Sequence, residues 1–505
     1  MTNAFATWPV LTLRVSAETI STTGPAQAHF GTVTEPHGSE ASSDPSCSWS
    51  WDGQRLVART DRYGFFNLFY CASRGGIMVS PSLAALLEAG APASMDAAAV
   101  AVFLRAGFFI GEDTPFEAVR VLPPGGVLTW EQGRLAVDAH RPCVQAYTGS
   151  YNSAVDEYID RFAESVRRRD TDGTLAVPLS GGRDSRHIFL ELCQTNRRPD
   201  VAISIGSPGG YTVPDVETAR LLAARAGVRH VTVPLPDARW QAQVESIPAA
   251  HFCTTEHWWF EPLVRYLREA TSSGSRATVF EGVAGDVLST PFLKTPLRQG
   301  LFDQGRLREL AETLSADEGY LPSVLPKIWY ERFSRDVAIE RLTRELEVHS
   351  AAPNPLASYF FFNRTRRVTS IPPTAFFGAY ARVWCPYLDT DLWNFLASLP
   401  PAIMQSDAGG SFHDVAIRRA YPEFADIPYA EKKYTRSRNS GYERRTIIDM
   451  AQGVRTLAPE LVRRSFLWPR LARGLVDPSS AADTAGLSSV VGYLTQLSQA
   501  MANSA

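Results

Sequence analysis

Cysteine is scarce in this 505-residue sequence: there are six, and no two form a Cys-x-x-Cys pair. Cys47, Cys71, Cys143, Cys193, Cys253 and Cys385 are too dispersed for a zinc ribbon or a disulfide framework. That usage suits a reducing cytoplasm. Excess charge of one sign is also missing. Lys+Arg total 50 against 53 Asp+Glu, a net charge of -3, which gives no field to gather nucleic acid or an anionic membrane. No apolar run reaches the roughly 18 residues of a bilayer-spanning helix. The opening Met1-Thr2-Asn3-Ala4-Phe5 has no basic region followed by an apolar stretch, so no signal peptide is expected. No repeat of about 20–50 residues is visible. These absences predict a cytoplasmic protein with neither a nucleic-acid nor a membrane partner.

What is present is an ordinary globular composition, 45% hydrophobic and 20% charged, over a length that favours two domains. The first part reads as β-rich. Leu11–Val15 and Arg55–Arg59 alternate, and Val127–Trp130 follows Gly125-Gly126. Ser and Pro between residues 36 and 49 suggest a loose loop. From Tyr151 the pattern changes. Asn152–Arg168 predicts an amphipathic helix and Thr174–Leu179 a short apolar strand. Val201–Ile205, His230–Val233 and Ala277–Phe280 predict further strands, with a helix over Val216–Ala226. Alternating strands and helices predict an α/β fold with a parallel, doubly wound sheet. After residue 300 the chain reads as helical, broken at Pro372-Pro373 and Pro400-Pro401. The last twenty residues, rich in Ser and Ala, are expected to be loosely held.

The chemistry concentrates after the strand at Thr174. Leu179 leads into Ser180-Gly181-Gly182-Arg183-Asp184-Ser185, and a helix is predicted from Arg186 to Leu192. Two glycines let backbone N–H groups turn onto a phosphate with no Cβ in the way. The helix N-terminus adds donors and a positive dipole end, and Ser180 and Ser185 add hydroxyls. A carboxylate beside a polyphosphate implies a cation between them, so Asp184 is a candidate Mg²⁺ ligand. The string is neither the Lys-bearing Gly-x-x-x-x-Gly-Lys loop nor the dinucleotide fingerprint, because the third glycine is missing. A plain strand-to-helix turn is the alternative; the six-residue string after an apolar strand favours a nucleotide. A second loop, Glu281-Gly282-Val283-Ala284-Gly285-Asp286, follows the predicted strand Ala277–Phe280. Asp286 is either a helix cap or, beside Asp184, a second metal ligand.

These residues resemble the asparagine synthetase B family and its relatives that form β-lactams and lasso-peptide macrolactams. Ser180–Ser185 is similar to the family's Ser-Gly-Gly-x-Asp-Ser pyrophosphate loop. Ser204-Ile205-Gly206 resembles the segment near the adenine, and Asp215–Ala219 the helix start after it. Gly282 and Gly285 match the second glycine loop, Pro386-Tyr387-Leu388-Asp389 the family's Pro-Phe-Leu-Asp segment, and Lys433 a late-loop catalytic lysine. Asp61-Arg62-Tyr63-Gly64, Ser80–Leu86, Thr114-Pro115-Phe116 and Leu122–Gly125 resemble the glutaminase domain. The resemblance implies a degenerate Ntn-hydrolase-like sandwich over 1–147 and an ATP-binding, PP-loop adenylating domain over 148–505. The implied cofactors are ATP and Mg²⁺, with Asp184, Asp286 and Lys433 catalytic.

Departures from the family pattern narrow the expectation. Thr2 stands where glutamine-using members have cysteine, and the Asn-Gly-Glu-type glutamine-binding segment is unrecognisable, so a silent glutaminase is expected. Arg382 occupies the place of a Glu in ammonia-using members, and Val287 that of another Glu. Tyr380 lies near the Tyr that lactam-forming members use, at a different spacing. Arg183 and Arg186 either contact phosphate or pair with acids on the helix. The clusters Glu256–Phe260 and Tyr359–Arg367 read first as helical core and second as a substrate cleft. His257 and His413 are each a structural histidine first and a proton carrier second.

The expectation is an amide-bond synthetase that activates a carboxylate with ATP and closes a lactam or macrolactam with an internal amine, as in antibiotic biosynthesis. A precursor peptide and a leader-processing protease would then be partners. The alternatives are an intermolecular or ammonium-dependent ligase, and a non-catalytic nucleotide-binding protein.

Overall fold

The computed structural model describes residues 7–16, 19–32, 43–195, 197–206, 213–235, 239–271, 277–291, 293–315, 317–404, 410–430 and 440–503. The expected mixed α/β architecture is present, antiparallel sheets first and a parallel sheet later. The N-terminal strands are β1 (Leu11–Ser16), β2 (Thr19–Thr23), β3 (Gln27–Gly31), β4 (Ser46–Trp51), β5 (Arg55–Thr60), β6 (Phe69–Ser73), β7 (Gly76–Ser80), β8 (Arg120–Val121), β9 (Val127–Glu131) and β10 (Arg134–Asp138). They form two antiparallel five-stranded sheets, ordered β2-β1-β7-β6-β8 and β10-β9-β5-β4-β3. Alternation explains how they pack. Leu11 and Leu13, Ile77 and Val79, Trp49 and Trp51, and Leu56 and Ala58 each point inward from their strands into one apolar layer. The loose loop suggested over 36–49 is corrected here. Residues 36–42 lie outside the described residues, and Ser46–Trp49 belongs to β4, where Cys47, Trp49 and Trp51 alternate into the core.

The parallel sheet follows. Its strands are β11 (Thr174–Pro178), β12 (Val201–Gly206), β13 (Arg229–Pro234), β14 (Ala277–Phe280) and β15 (Ala381–Trp384), ordered β13-β12-β11-β14-β15, and every pair is parallel. β11, β12 and β14 are short continuous apolar runs because both their faces are covered. From β11 the chain steps outward to β12 and β13, then returns across the sheet to β14. The strand order therefore reverses between β11 and β14. Loops leaving the carboxyl ends of those two strands diverge there and open a crevice, the usual ligand position in such sheets.

One helical expectation holds and one is corrected. At Pro372-Pro373 one helical segment ends and the next begins: Phe361–Thr369 closes with Ser370 N–H to Thr365 O (2.9 Å), and Pro372–Phe376 continues with Phe377 N–H to Pro372 O (2.8 Å), the backbone staying helical through Ser370 and Ile371. Both prolines take the first positions of the second segment, where an N–H has no acceptor within the helix. The last twenty residues are not loose. The helix Ser488–Ala502 buries Val491, Tyr493, Leu494 and Leu497, and Tyr493 stacks on Phe103 with ring centroids 4.2 Å apart. Its apolar residues recur at helical spacing, which outweighs the Ser and Ala content.

The π-helical segment ties the sandwich to the parallel-sheet region. Arg366 is buried and donates to three carbonyls: Nε to Gly64 O (3.2 Å), Nη1 to Gly111 O (3.1 Å) and Nη2 to Leu122 O (2.7 Å). Arg367 Nη1 also reaches Gly111 O (3.1 Å), and Asn363 Oδ1 accepts from Gly111 N–H (2.8 Å). Gly64 has φ +66°, and a Cβ there would lie 2.9 Å from Arg366 Nε. Phe361 packs on Tyr63 and Phe65.

Arg366→Met keeps the bulk but leaves three buried carbonyls without a donor. It should lower unfolding free energy by about 3 kcal/mol or more. Urea denaturation of the full chain measures this; a loss below about 1 kcal/mol would show that water takes over the three carbonyls.

Candidate active site

The site is built on the two loops that flank the strand-order reversal. Leu179 N–H bonds Ile203 O (2.8 Å), which keeps the chain in the sheet until Ser180 emerges at the carboxyl edge. Ser180 N–H and Ser180 Oγ both lie 3.1 Å from Ser185 Oγ, and Gly182 N–H donates to Ser180 Oγ (3.1 Å). Gly181 N–H donates to an Asp215 carboxylate oxygen at 3.1 Å, so the turn already holds one anionic oxygen on its backbone. The helix Asp184–Gln194 starts at once and directs its positive end into the crevice.

The second loop closes on the first. A Cβ on Gly282 would sit 2.9 Å from Asp184 Cβ; one on Gly285 would sit 2.5 Å from Asp184 Cγ and 2.9 Å from the Tyr387 ring. Both glycines are therefore required by close approach rather than by turn geometry. Burial, and then the charge of Asp286, push the Asp184 carboxyl well above its ordinary range. Burial pushes Glu281 up to about 7, against the Gly282 N–H. Arg364 Nη1 lies 3.7 Å from Asp286 Oδ2. Lys294 Nζ donates to Val287 O (2.7 Å), and burial pushes its amine down to about 8 while Asp286 opposes. Among the described residues no group of three or more His, Cys, Asp and Glu side chains could hold a metal ion. Two apposed carboxylates fit a Mg²⁺ ion that takes its other ligands from phosphate oxygens and water.

Beneath Asp184 lies a buried polar layer that the sequence reading did not assemble. Ser289 Oγ donates to Gly285 O (2.6 Å), so His413 Nδ1, 2.8 Å away, must donate to Ser289. His413 Nε2 is then the acceptor facing His187 Nδ1 (3.1 Å) and Tyr387 Oη (3.3 Å). Asp184 Oδ1 is 3.5 Å from the same Nδ1. Burial pushes His413 down to about 3, which keeps it neutral. Its neighbour Asp414 takes Arg183 bidentately, at 2.5 and 3.0 Å, and also completes a capping box with Ser411. Ser411-x-x-Asp414 was legible as a cap, and His187 stands one helical turn from Asp184.

The remaining expected residues divide. Arg183 pairs with an acid. Arg186 donates to Ile427 O (2.8 Å) and Pro428 O (2.7 Å), and both guanidiniums stack on Tyr429, so both have protein partners. Ser204 Oγ is committed to Leu179 O (2.7 Å) and His230 Nε2 (2.8 Å). Ile205 and Gly206 end β12 at the same edge as Ser180, and a Cβ on Gly206 would meet Thr232 Cγ2 at 2.7 Å. Tyr380 is a correction. It immediately precedes β15, whose Ala381 pairs with Ala277 at the start of β14, so it stands at the amino edge of the sheet, about 13 Å of strand from the two loops. Arg382 lies within β15 and bonds Asp172 (2.8 Å). Lys433 lies outside the described residues. His257 is buried against Phe260 and Phe376 and pushed down to about 3, a core residue. Asp389 caps the helix Thr390–Ser398.

The family model for a glutamine amidotransferase domain matches residues 47–141. That range spans β4 to β10. The match fits an asparagine synthetase-like amidotransferase domain in the N-terminal part. No curated protein matches the chain. Among the described residues, no helix is long and apolar enough to cross a membrane.

Gly285→Ala should lose about 2–3 kcal/mol of stability, since the added methyl overlaps Asp184 and Tyr387. Gly300→Ala, in a helix with nothing within 4 Å of its Cβ position, should be neutral or gain up to about 1 kcal/mol. Thermal melts of the pair decide it; equal losses would mean that loop apposition is not what requires Gly285. Imidazole nitrogen NMR should find His413 neutral, with its proton on Nδ1, from pH 8 to below pH 5. A titration near 6.5 would contradict the buried-layer assignment.

Proposed function

We propose that the chain is an ATP-dependent, AMP-forming amide synthetase, with a glutaminase-like part over 1–147 and an adenylating part over 148–505. One observation carries the reading: the Ser180–Ser185 loop and the Gly282–Asp286 loop meet at the strand-order reversal with Asp184 and Asp286 apposed. The helix N-terminus suits a pyrophosphate, whose oxygens would take Gly181 N–H from Asp215 and the two serine hydroxyls from each other. Asp184 and Asp286 would hold Mg²⁺, which supplies charge neutralisation there.

A substrate carboxylate attacks the α-phosphorus of ATP, forming an acyl adenylate and releasing pyrophosphate. An amine then attacks the acyl carbon, AMP leaves, and the amine proton is released. Lys433 is assigned the charge developing during these displacements, and the protein's work is positioning and electrostatics. The sandwich cysteines Cys47 and Cys71 support an amine source other than glutamine. Both are buried, and burial pushes their thiols up, opposite to what a nucleophile needs. The product class that follows is a lactam or macrolactam closed by an amine of the substrate itself, in a peptide or small metabolite. A separate amine or ammonium would give an intermolecular amide by the same chemistry.

ATP–pyrophosphate exchange driven by carboxylic acids tests the scheme. Asp184→Asn should lower exchange by about a thousandfold, several kcal/mol of transition-state stabilisation. Exchange that is undiminished in Asp184→Asn sinks the proposal.

A further inference from the structure

One hydrogen bond of the phosphate loop comes from outside it and carries charge. Three others are internal and neutral. Ser180 N–H donates to Ser185 Oγ, the two serine hydroxyls bond each other, and Gly182 N–H donates to Ser180 Oγ, each at 3.1 Å. The fourth runs from Gly181 N–H to Asp215 Oδ1, also at 3.1 Å. Asp215 lies in the first turn of the helix Val213–Ala226, the next helix after β12. An acid in that position ordinarily serves its own helix, answering unpaired N–H groups and the positive dipole end. Here one oxygen is given to the loop instead. The approach is close: a Cβ on Gly181 would lie 3.2 Å from Asp215 Cα and 2.3 Å from Ala430 Cβ. Ala430 N–H donates to Gly181 O (3.0 Å). Gly181 is therefore held from two sides, its N–H by a carboxylate and its carbonyl by a backbone amide.

Asp61 shows what a permanent carboxylate of this kind looks like. It is 1% exposed and accepts from four N–H groups, those of Ser46 (3.2 Å), Tyr63 (3.0 Å), Phe65 (3.1 Å) and Phe66 (2.8 Å). Moving it would strand four donors at once. Asp215 is half-buried, so water can take its carboxylate once the Gly181 contact is given up. The loop then lacks one acceptor, and a phosphate oxygen is an anionic acceptor of the same kind. The two anions exclude each other, because one N–H serves one of them well and like charges at hydrogen-bonding range repel.

We propose that Asp215 is a resident anion of the phosphate loop, displaced from Gly181 N–H when a polyphosphate binds and returning as pyrophosphate leaves. The assignment deepens the synthetase reading and rests on it for the identity of the arriving anion. Asp215 keeps the loop in its turn while the site is empty, since Gly181 N–H is never without an acceptor. It also weakens the hold on the product, because the carboxylate competes for the same donor. An intramolecular competitor of this kind lowers affinity for every ligand that needs Gly181, and removing its charge raises that affinity.

The full-length protein is titrated calorimetrically with inorganic pyrophosphate in excess Mg²⁺. Asp215→Asn keeps the shape and a neutral acceptor oxygen; Asp215→Ala removes both charge and acceptor. Each should bind pyrophosphate at least about fivefold more tightly than the wild type. Asp172→Asn is the charge control. It removes one carboxylate at the amino edge of the sheet, where Asp172 bonds Arg382 (2.8 Å), and should shift binding by less than about twofold. Should Asp215→Ala fail to fold, Asp215→Asn decides alone. Unchanged or weaker binding in either folded Asp215 variant overturns the proposal, since Asp215 would then support the turn without competing for it. An equal gain in Asp172→Asn overturns it as well, since overall charge would then explain the effect. If wild type and variants bind pyrophosphate alike, the loop remains a pyrophosphate site and displacement fails. If none of them binds it, the pyrophosphate reading of the loop fails and takes the proposal with it. If the Asp215 variants bind as expected yet no carboxylic acid drives ATP–pyrophosphate exchange, displacement stands and adenylation fails.

Discussion

The approach of the Gly285 backbone to the Asp184 carboxylate is the contact on which the site depends. A single methyl group would not fit between them. That closeness puts two carboxylates from adjacent strand ends into one crevice, raises the Asp184 carboxyl, and creates a place that a cation would relieve. It also leaves no room for error in the layer below. Ser289 fixes Gly285 through its carbonyl, and His413 fixes Ser289 while lying 3.5 Å from Asp184. A neutral His413 suits that position, since a second cation there would compete with one held above it.

A second constraint joins this crevice to the N-terminal sandwich. Arg366 is a buried cation with carbonyl partners only, drawn from three turns of the sandwich. Hydrogen bonds from a charged donor to neutral acceptors are strong when water is excluded, and they fix direction as well as distance. The π-helical turns widen the helix so that Asn363, Arg366 and Arg367 all converge on Gly111, while Arg364 turns the other way, towards Asp286. Such contacts hold the N-terminal part in place, because removing it would strand the Arg366 guanidinium and take Gly111 O from Arg367.

Much of the fold was legible because its signals are local. β1, β5, β9, β11, β12 and β14 and the helices starting at Tyr151 and Asp184 follow from period-two alternation, short apolar runs and helical spacing. β4 was obscured by its serines, although Cys47, Trp49 and Trp51 alternate. β15 was hidden in a helical region, because a four-residue strand has too few residues to show a period. Proline was legible at Pro372-Pro373, where both rings open a new helical segment and their missing N–H groups have no acceptor within it. Tyr380 was placed by proximity in sequence to Pro386; the strand between them carries it to the opposite edge of the sheet.

The sequence by itself determined the phosphate-loop string, the carboxylates at two strand ends and the apolar strands that deliver them, since each is a property of a few consecutive residues. The tertiary structure decided which of these meet. It reversed the strand order between β11 and β14, so that Asp184 and Asp286, about a hundred residues apart in the chain, share one crevice. It also turned Arg183 and Arg186 away to Asp414 and to backbone carbonyls. Strand order and side-chain partnership arise from packing between distant segments, and local pattern carries no record of that packing.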